Sequence, residues 1–215
     1  MSPRKLLKQN RTFLIFLFLM VGFRTAIADW NVVPTGSMKP TILEGDRITV
    51  NKLAYDVRIP FSKISLFRLN DPQRNDIVVF DSAKAEKRMV KRVIGLPGDI
   101  VGLNHNNLMI NGFPASYQKV KQDINNTYYS ETILQHKRVI KLLTGAIGPM
   151  QNFTGVRVPE DHYLVMGDNR DNSADSRVYG FIPRKEIIGQ SSHIVMSLDY
   201  ENYYLPRPDR FWQKL

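Results

Sequence analysis

Short apolar strands separated by turn residues follow residue 30, and this pattern constrains the fold more than any other feature. An alternating strand is predicted at residues 47–51 after a turn at Gly45-Asp46, and a buried strand at residues 76–80. The Asn111-Gly112 pair is the local signal most typical of a two-residue β-hairpin. Because helical periodicity is weak outside the N-terminus, the sequence predicts a mainly β body.

Three further strands are predicted, over residues 88–94, 163–166 and 192–198. Residues from about 114 to 155 are polar and carry few turn glycines before Gly145, which predicts an insertion with its own small sheet. We therefore expect an antiparallel β core over 30–102 and 156–200, an inserted smaller β subdomain over 103–155, and a tail over 201–215. The tail mixes aromatic and basic side chains, which suit either a membrane interface or packing on the body.

The N-terminus combines a basic start with an apolar segment. Residues 12–23 carry no charge and follow four basic residues, so 1–11 is predicted to be a cytoplasmic N-terminus and 12–29 a single transmembrane anchor. A cleavable signal peptide ending at Ala26-Ile27-Ala28 is the alternative. Arg24 lies between the apolar segment and the small residues, where a signal peptide is usually uncharged, and this favours the anchor. In both interpretations, the residues that follow this segment are exported across the membrane.

The composition excludes several kinds of chemistry. The 215 residues include no cysteine, which excludes disulfides, thiolate metal sites and a cysteine nucleophile. The net charge of +10 suits an anionic partner, either nucleic acid or anionic lipid. Since no basic-aromatic strand and no DNA-reading helix is recognisable, we expect membrane lipid as the partner and no nucleic acid.

Ser37 and Lys91 are the candidate catalytic pair. A serine hydroxyl is a poor nucleophile until a base takes its proton, and a lysine amine can be that base only when its pKa is lowered. Ser37 follows Gly36, which lets the backbone approach a substrate closely. Strand alternation places Lys91 on one face with Met89 and Val93, so burial is expected to lower its pKa. Taken alone, each residue also fits an ordinary role, in a turn or on a solvated strand.

Two further features bear on the chemistry. Thr35 is a candidate hydroxyl donor to a developing oxyanion, together with the Ser37 backbone N–H. The polar loop 167–177 is expected to be an internally bonded scaffold with an Asp175–Arg177 ion pair, because it lacks the central Gly and the late Glu of a calcium loop. The four histidines are scattered and are expected to be structural or on the surface, so no metal or cofactor is expected.

Taken together, these segments resemble bacterial signal peptidase I, the Ser-Lys family of membrane-bound leader peptidases. The similar motifs, in the family's order, are 34–41 (PTGSMKPT), 45–46 (GD), 76–80 (DIVVF), 91–99 (KRVIGLPGD) and 167–177 (GDNRDNSADSR). The resemblance implies a signal-peptidase-like antiparallel β-sheet catalytic core with the smaller β subdomain inserted into it.

The resemblance also implies roles for individual residues. Ser37 would be the nucleophile, Lys91 the general base, and Ser173 the hydroxyl that orients this lysine. Thr35 would complete the oxyanion hole, and Asp175 with Arg177 would form a supporting ion pair. The apolar residues implied to line shallow pockets for small substrate side chains are Val33, Met38, Ile42, Met89 and Val90.

The expected function is therefore that of a serine endopeptidase of the bacterial plasma membrane, with its catalytic body on the extracytoplasmic side. Its expected partners are membrane lipid and the signal peptides of exported preproteins, which it would cut after a small residue at an A-x-A site. A specialised peptidase of the same family that matures conjugative pilins is an alternative, and a non-catalytic binding module with the same fold is another. A cytoplasmic Ser-Lys repressor-type protease fits less well because of the apolar N-terminus.

Overall fold

The computed structural model describes residues 10–26, 28–59, 62, 64–145 and 148–215. These residues include two α-helices, α1 (Arg11–Ala26) and α2 (Ser176–Tyr179). Most other described elements are strands in antiparallel sheets, so the mainly antiparallel β architecture is confirmed. Residues 1–9 of the predicted cytoplasmic segment, and Ile27 of the alternative cleavage site, lie outside the described residues.

The strands of the described residues are β1 (Ala28–Val32), β2 (Asp46–Asn51), β3 (Asp56–Arg58), β4 (Ser65–Arg68), β5 (Ile77–Ser82), β6 (Lys87–Gly95), β7 (Ile100–Asn104), β8 (Asn107–Ile110), β9 (Phe113–Pro114), β10 (Ser116–Gln122), β11 (Asn126–Ile133), β12 (His136–Leu143), β13 (Phe153–Arg157), β14 (His162–Met166), β15 (Ile182–Pro183), β16 (Ile187–Ser191), β17 (His193–Asp199), β18 (Leu205–Pro206) and β19 (Gln213–Lys214).

The largest sheet carries the candidate base in its interior. Its strand order is β15, β14, β6, β5, β16, β2, β17 and β18, with β1 paired to β2 and β19 to β17. Strand β5 has four consecutive buried residues at its start, as its apolar sequence predicts. It pairs with β6 so that Val78 lies opposite Lys91 and Ile77 lies opposite Arg92. Strand β14 covers the other side of β6, so Lys91 is on a central strand.

Two turns predicted from the sequence are confirmed. Asn111 and Gly112 have φ angles of 52° and 82° and join β8 to β9, which is the geometry that a two-residue hairpin favours. Gly45 has a φ of 90°, and a Cβ atom there would lie 2.0 Å from the carbonyl oxygen of Leu198. Only glycine therefore fits the turn that leads into β2.

Two smaller sheets follow β6 in the chain. Strands β10, β11 and β12 form a three-stranded sheet from the polar residues 116–143, and β13, β7, β8 and β9 form a four-stranded sheet. The predicted insertion boundaries, at residues 103 and 155, fall inside β7 and β13. The division into core and insertion stays a prediction.

Separate apolar clusters hold these sheets together. One contains Val33, Met38 and Ile42 from the Ser37 segment, packed on β2 and β17. A second lies around Met89 and Val93 of β6 and includes residues of β5 and β14. The Ser37 segment and the Lys91 strand are therefore each fixed by core packing, and not by loop contacts alone.

Helix α1 precedes the sheet and has 16 mostly apolar residues. Phe13 and Phe16 are each 61% exposed. In the part of the chain that the structure describes, no helix combines the length and the apolar character that a membrane crossing requires. The anchor expected over residues 12–29 stays a prediction.

Candidate active site

Ser37 and Lys91 meet although they are 54 positions apart in the chain. Ser37 is the middle residue of a short 3₁₀ turn, Gly36–Met38, and Lys91 is on β6. The Lys91 Nζ atom lies 2.6 Å from the Ser37 Oγ atom and 3.1 Å from the Val90 carbonyl oxygen. This distance is within the range over which a proton passes directly between a nucleophile and its base.

The environment of Lys91 favours its neutral form. The residue is only 3% exposed, and Met89 and Val93 on the same face are also buried. Burial is the main reason that the pKa of Lys91 falls to about 8, and the nearby positive charge of Lys87 lowers it further. The carboxylates of Asp175 and Asp168 act in the opposite direction without reversing the shift. A large fraction of Lys91 is therefore neutral at mildly alkaline pH.

The polar loop 167–177 fixes the backbone carbonyl groups of Gly36 and Ser37. The Asn169 backbone N–H donates to the Ser37 carbonyl oxygen at 3.0 Å, and the Asn169 Nδ2 atom donates to the Gly36 carbonyl oxygen at 2.9 Å. Gly167 packs so closely that a Cβ atom there would lie 2.4 Å from the Ser37 carbonyl oxygen. The loop thus sets the position of the Ser37 backbone.

Ser173, Asp175 and Arg177 form a bonded group beside this backbone. The Ser173 hydroxyl donates to the Asp175 Oδ2 atom at 2.8 Å, and Asp175 pairs with Arg177 at 2.8 Å. Asp175 is buried, and its hydrogen bonds and ion pair hold its pKa below the usual value despite the opposing effect of burial. The Lys91 hydrogen bonds given by the structure go to Ser37 and Val90, so the lysine-orienting role of Ser173 stays a prediction.

A cleft of about 680 Å³ opens in front of Ser37 and Lys91. Four of the apolar residues expected to contact substrate line it, namely Val33, Met38, Met89 and Val90. The fifth, Ile42, is fully buried in the core because the chain turns back after Met38, with the Ile42 N–H donating to the Met38 carbonyl oxygen. Thr35 also lines the cleft and is exposed. Its hydroxyl is therefore open to a ligand.

Comparison with known proteins identifies the family. The family model described as signal peptidase, peptidase S26, matches residues 6–196. The chain belongs to this family. The resemblance drawn from the sequence motifs is confirmed, and the chain is a hydrolase of the signal peptidase type.

Individual relatives cover most of the chain. Signal peptidase I of Pseudomonas aeruginosa is 33% identical over 210 residues, covering 89% of this chain and 73% of the relative. Signal peptidase I P of Bacillus subtilis subsp. natto is 34% identical over 190 residues and covers 88% of each chain. A crystal structure of a signal peptidase I from Enterococcus faecalis is 31% identical, covering 57% of this chain and 97% of that one, with a TM-score of 0.36.

A buried charge cluster connects the polar loop 167–177 of this S26 family member to the three-stranded sheet. Glu131 of β11 is fully buried and accepts two hydrogen bonds from Arg170 of the loop, at 2.7 and 2.5 Å. It also accepts one from Arg138 of β12 at 2.6 Å. These positive neighbours lower the pKa of Glu131 to about 2 although burial alone would raise it. The sheet therefore supports the loop that holds Ser37.

We expect Glu131→Gln to lower the free energy of unfolding by about 3–5 kcal/mol, because two buried guanidinium groups lose their counter-charge. The loss should be smaller in acid, since the Glu131 contribution is complete above the ordinary glutamate pKa and disappears as the pH falls toward about 2. Urea unfolding at pH 7 and at pH 3 measures both effects. Glu160→Gln, at an exposed position, is the matched control. Equal stability of the two variants would contradict the assignment.

Sequence reasoning missed two supporting contacts. Arg92, next to Lys91, is buried on the other face of β6. Its Nε and Nη2 atoms donate to the two carboxylate oxygens of Asp168, at 2.9 and 2.7 Å. Asn169 was expected only as part of a self-bonded loop, yet it holds the Ser37 turn. One local signal points to these contacts: Asp168 and Asn169 stand side by side shortly after the predicted strand 163–166, where polar side chains can bind neighbouring segments.

Proposed function

We propose that this chain is a membrane-bound serine endopeptidase that removes signal peptides from exported preproteins through an acyl-enzyme. The 2.6 Å contact between the Ser37 Oγ atom and the buried Lys91 Nζ atom is the observation that carries the proposal. Membership of the signal peptidase family supports the substrate class.

In the acylation step, the neutral Lys91 amine takes the Ser37 proton as the Oγ atom attacks the scissile carbonyl carbon. The oxyanion that forms is stabilised by the Ser37 backbone N–H and the Thr35 hydroxyl. Collapse breaks the C–N bond, and the protonated Lys91 gives its proton to the departing amine. The product is an ester between Ser37 and the signal peptide.

In the deacylation step, Lys91 takes a proton from a water molecule that attacks the ester. The C–O bond to Ser37 breaks, and the Ser37 hydroxyl regains a proton from Lys91. Ser173 is proposed to orient Lys91 during this exchange, and the Asp175–Arg177 pair to keep Ser173 in place. Support comes from the Ser173–Asp175 hydrogen bond of 2.8 Å.

The preference for an A-x-A site follows from the apolar lining of the cleft. Met38 and Met89 are buried, Val90 is partly buried, and all three line the cleft, so small apolar side chains are proposed to fit next to Ser37. The exposed apolar helix α1 is proposed to hold the body at the membrane surface on the extracytoplasmic side.

The test is cleavage of a preprotein that carries an A-x-A site, in neutral detergent, with products identified by mass spectrometry. We expect a single cut after the second alanine, absent in Ser37→Ala, and absent when that alanine is replaced by phenylalanine. Cleavage of a pilin precursor alone would favour the specialised peptidase. No cleavage of either substrate by a folded wild-type protein would contradict the proposal and favour a binding module.

The rate should rise with pH. Because Lys91 must be neutral to act as a base, kcat/KM is expected to increase about tenfold per unit below a pKa of about 8 and to level off above it. Lys87→Gln removes a positive charge that lowers the pKa of Lys91, so its profile should move to higher pH. Initial rates between pH 6 and 10 measure both. A profile that is flat from pH 6 to 9 is the contradicting result.

A further inference from the structure

A second cleft, of about 670 Å³, lies between the largest sheet and the three-stranded sheet β10–β12. It shares no lining residue with the Ser37 cleft among the described residues. Arg92 of β6 lines it, whereas the Ser37 cleft is lined by the preceding residues of the same strand, from Lys87 to Lys91. Nothing in the proposed peptidase chemistry uses this second cleft.

The wall of this cleft is strongly basic. Of the described residues that line it, seven are Lys or Arg and one, Asp76, is acidic. The Asp76 carboxylate already accepts hydrogen bonds from Tyr55, Gln73 and Gln190. Neutral donors leave its charge in place, so it balances one of the seven positive charges. Arg74 and Arg210 pair with Asp99 and Asp46, which lie outside the lining.

Buried arginines form the deep end of the cleft. Arg92 and Arg138 are each 5% exposed, and the Asn75 side-chain oxygen lies 3.5 and 3.4 Å from their Nη1 atoms. Arg92 pairs with Asp168, and Arg138 shares Glu131 with Arg170, so three buried guanidinium groups face two carboxylates. One positive charge of this cluster is left without a carboxylate. Burial lowers the pKa of Arg138, and the charges of Arg170 and Arg92 lower it further against the opposing effect of Glu131, in keeping with this surplus of positive charge.

Three lysines stand at the open end. Lys121, Lys137 and Lys214 are exposed and line the cleft, and none belongs to an ion pair among the described residues. Lys121 lies 4.4 Å from the centre of the Tyr128 ring, which holds its side chain beside the opening. The cleft thus combines buried guanidinium groups inside with exposed ammonium groups at its entrance.

We propose that this cleft binds a phosphate-bearing anion. A phosphate group carries up to two charges on several oxygens, and this suits a cleft that combines the surplus buried positive charge with three unpaired ammonium groups. A single carboxylate would neutralise a smaller part of the cluster. The anion is either a soluble phosphate compound or the headgroup of an anionic lipid. Binding to lipid vesicles distinguishes these two sources.

The probes are inorganic phosphate, pyrophosphate and glycerol 3-phosphate, titrated calorimetrically into the full chain in neutral detergent at constant ionic strength. The site variant replaces Lys121, Lys137 and Lys214 together with glutamine. The control variant replaces Lys84, Lys119 and Lys185, which are also exposed and lie outside the cleft, so both variants lose the same charge. We expect Kd to rise about tenfold in the site variant and less than about twofold in the control.

A vesicle experiment separates the two sources. Both variants are sedimented with phosphatidylglycerol and with phosphatidylcholine vesicles, and helix α1 contributes equally to each. Weaker binding of the site variant to phosphatidylglycerol alone would support a lipid headgroup. Equal vesicle binding, with the loss confined to soluble phosphates, would support a soluble compound.

The proposal is overturned if no soluble phosphate or anionic vesicle binds in a way that depends on these three lysines. Equal weakening in the control variant would overturn it too, since that result reports general charge. Saturable binding of an acidic peptide without binding of any phosphate compound would have the same consequence. Ser37→Ala should bind as the wild type does, so the outcome is independent of the peptidase activity.

Discussion

Lys91→Met is expected to lower kcat/KM for signal peptide cleavage by at least about 10³-fold while the protein stays folded. The loss follows because, among the described residues, Lys91 is the hydrogen-bond partner of the Ser37 hydroxyl and so the group placed to take its proton. Methionine is unbranched, one atom shorter than lysine and apolar, so it suits a position that is 3% exposed between Met89 and Val93. Cleavage assays with Lys91→Met, Ser37→Ala and the control Lys119→Met measure the effect.

The same variant tests the protonation state through stability. With a folded-state pKa of about 8 and an unfolded value near 10.5, Lys91 binds its proton less tightly in the folded state. Its contribution to stability therefore increases as pH rises through this window and is lost as pH falls through about 8. Relative to Lys91→Met, the wild type should gain up to about 3 kcal/mol in free energy of unfolding between pH 8 and 10.5. Urea denaturation at several pH values measures the difference.

Two results would contradict this account of Lys91. One is cleavage by Lys91→Met within about tenfold of the wild type, which would assign the base to another group. The other is a stability difference that does not change with pH, which would mean that Lys91 titrates normally in the folded protein.

Local patterns account for the parts of the fold that could be predicted. The alternation at 47–51, the apolar run at 76–80 and the Asn111-Gly112 turn depend on contacts between near neighbours or on which face of a strand a residue occupies. The observed strands β2 and β5 and the β8–β9 hairpin match them within a few residues. The burial of Lys91 could be predicted for the same reason, because strand alternation places the apolar Met89 and Val93 two positions away on its own face.

The charge network around the site could not be predicted because its partners are far apart in sequence. Arg92 and Asp168 are separated by 76 positions, and Glu131 and Arg170 by 39. A charged residue in a strand usually faces solvent, so nothing local distinguishes Arg92 or Glu131 from surface residues. Their burial depends on how the three-stranded sheet packs on the loop 167–177, which is a property of the tertiary structure.

This packing has a functional consequence. The Lys141 N–H donates to the Asp168 carbonyl oxygen, and the Leu143 N–H donates to the Asp171 carboxylate. Strand β12 thus binds the same loop whose Asn169 holds the Ser37 turn. The polar residues 116–143, which predicted only a separate sheet, therefore also fix the polar loop 167–177.

Gly167→Ala is expected to lower kcat by at least about 100-fold, because displacing a reacting group by about 1 Å has an effect of this size. An alanine Cβ atom would lie 2.2 Å from the Ser173 Oγ atom and 2.4 Å from the Ser37 carbonyl oxygen. The Gly167 N–H also donates to the buried Asp175 carboxylate, so the loop cannot move without breaking this bond. Crowding at such a site should also lower the free energy of unfolding by about 1–3 kcal/mol.

Gly102→Ala is the matched control, since the nearest atoms to a Cβ there are 3.5 Å away, and it should retain activity. A double variant, Gly167→Ala with Ser173→Gly, removes the close contacts with the Ser173 side chain and leaves the one with the Ser37 carbonyl oxygen. Because the Ser37 carbonyl oxygen is backbone held by Asn169 and cannot retreat, the double variant should recover little of the lost kcat. Single-turnover rates and urea unfolding of all three variants separate misplacement of Ser37 from loss of fold. If Gly167→Ala keeps kcat within about threefold of the wild type, the loop does not set the position of the nucleophile.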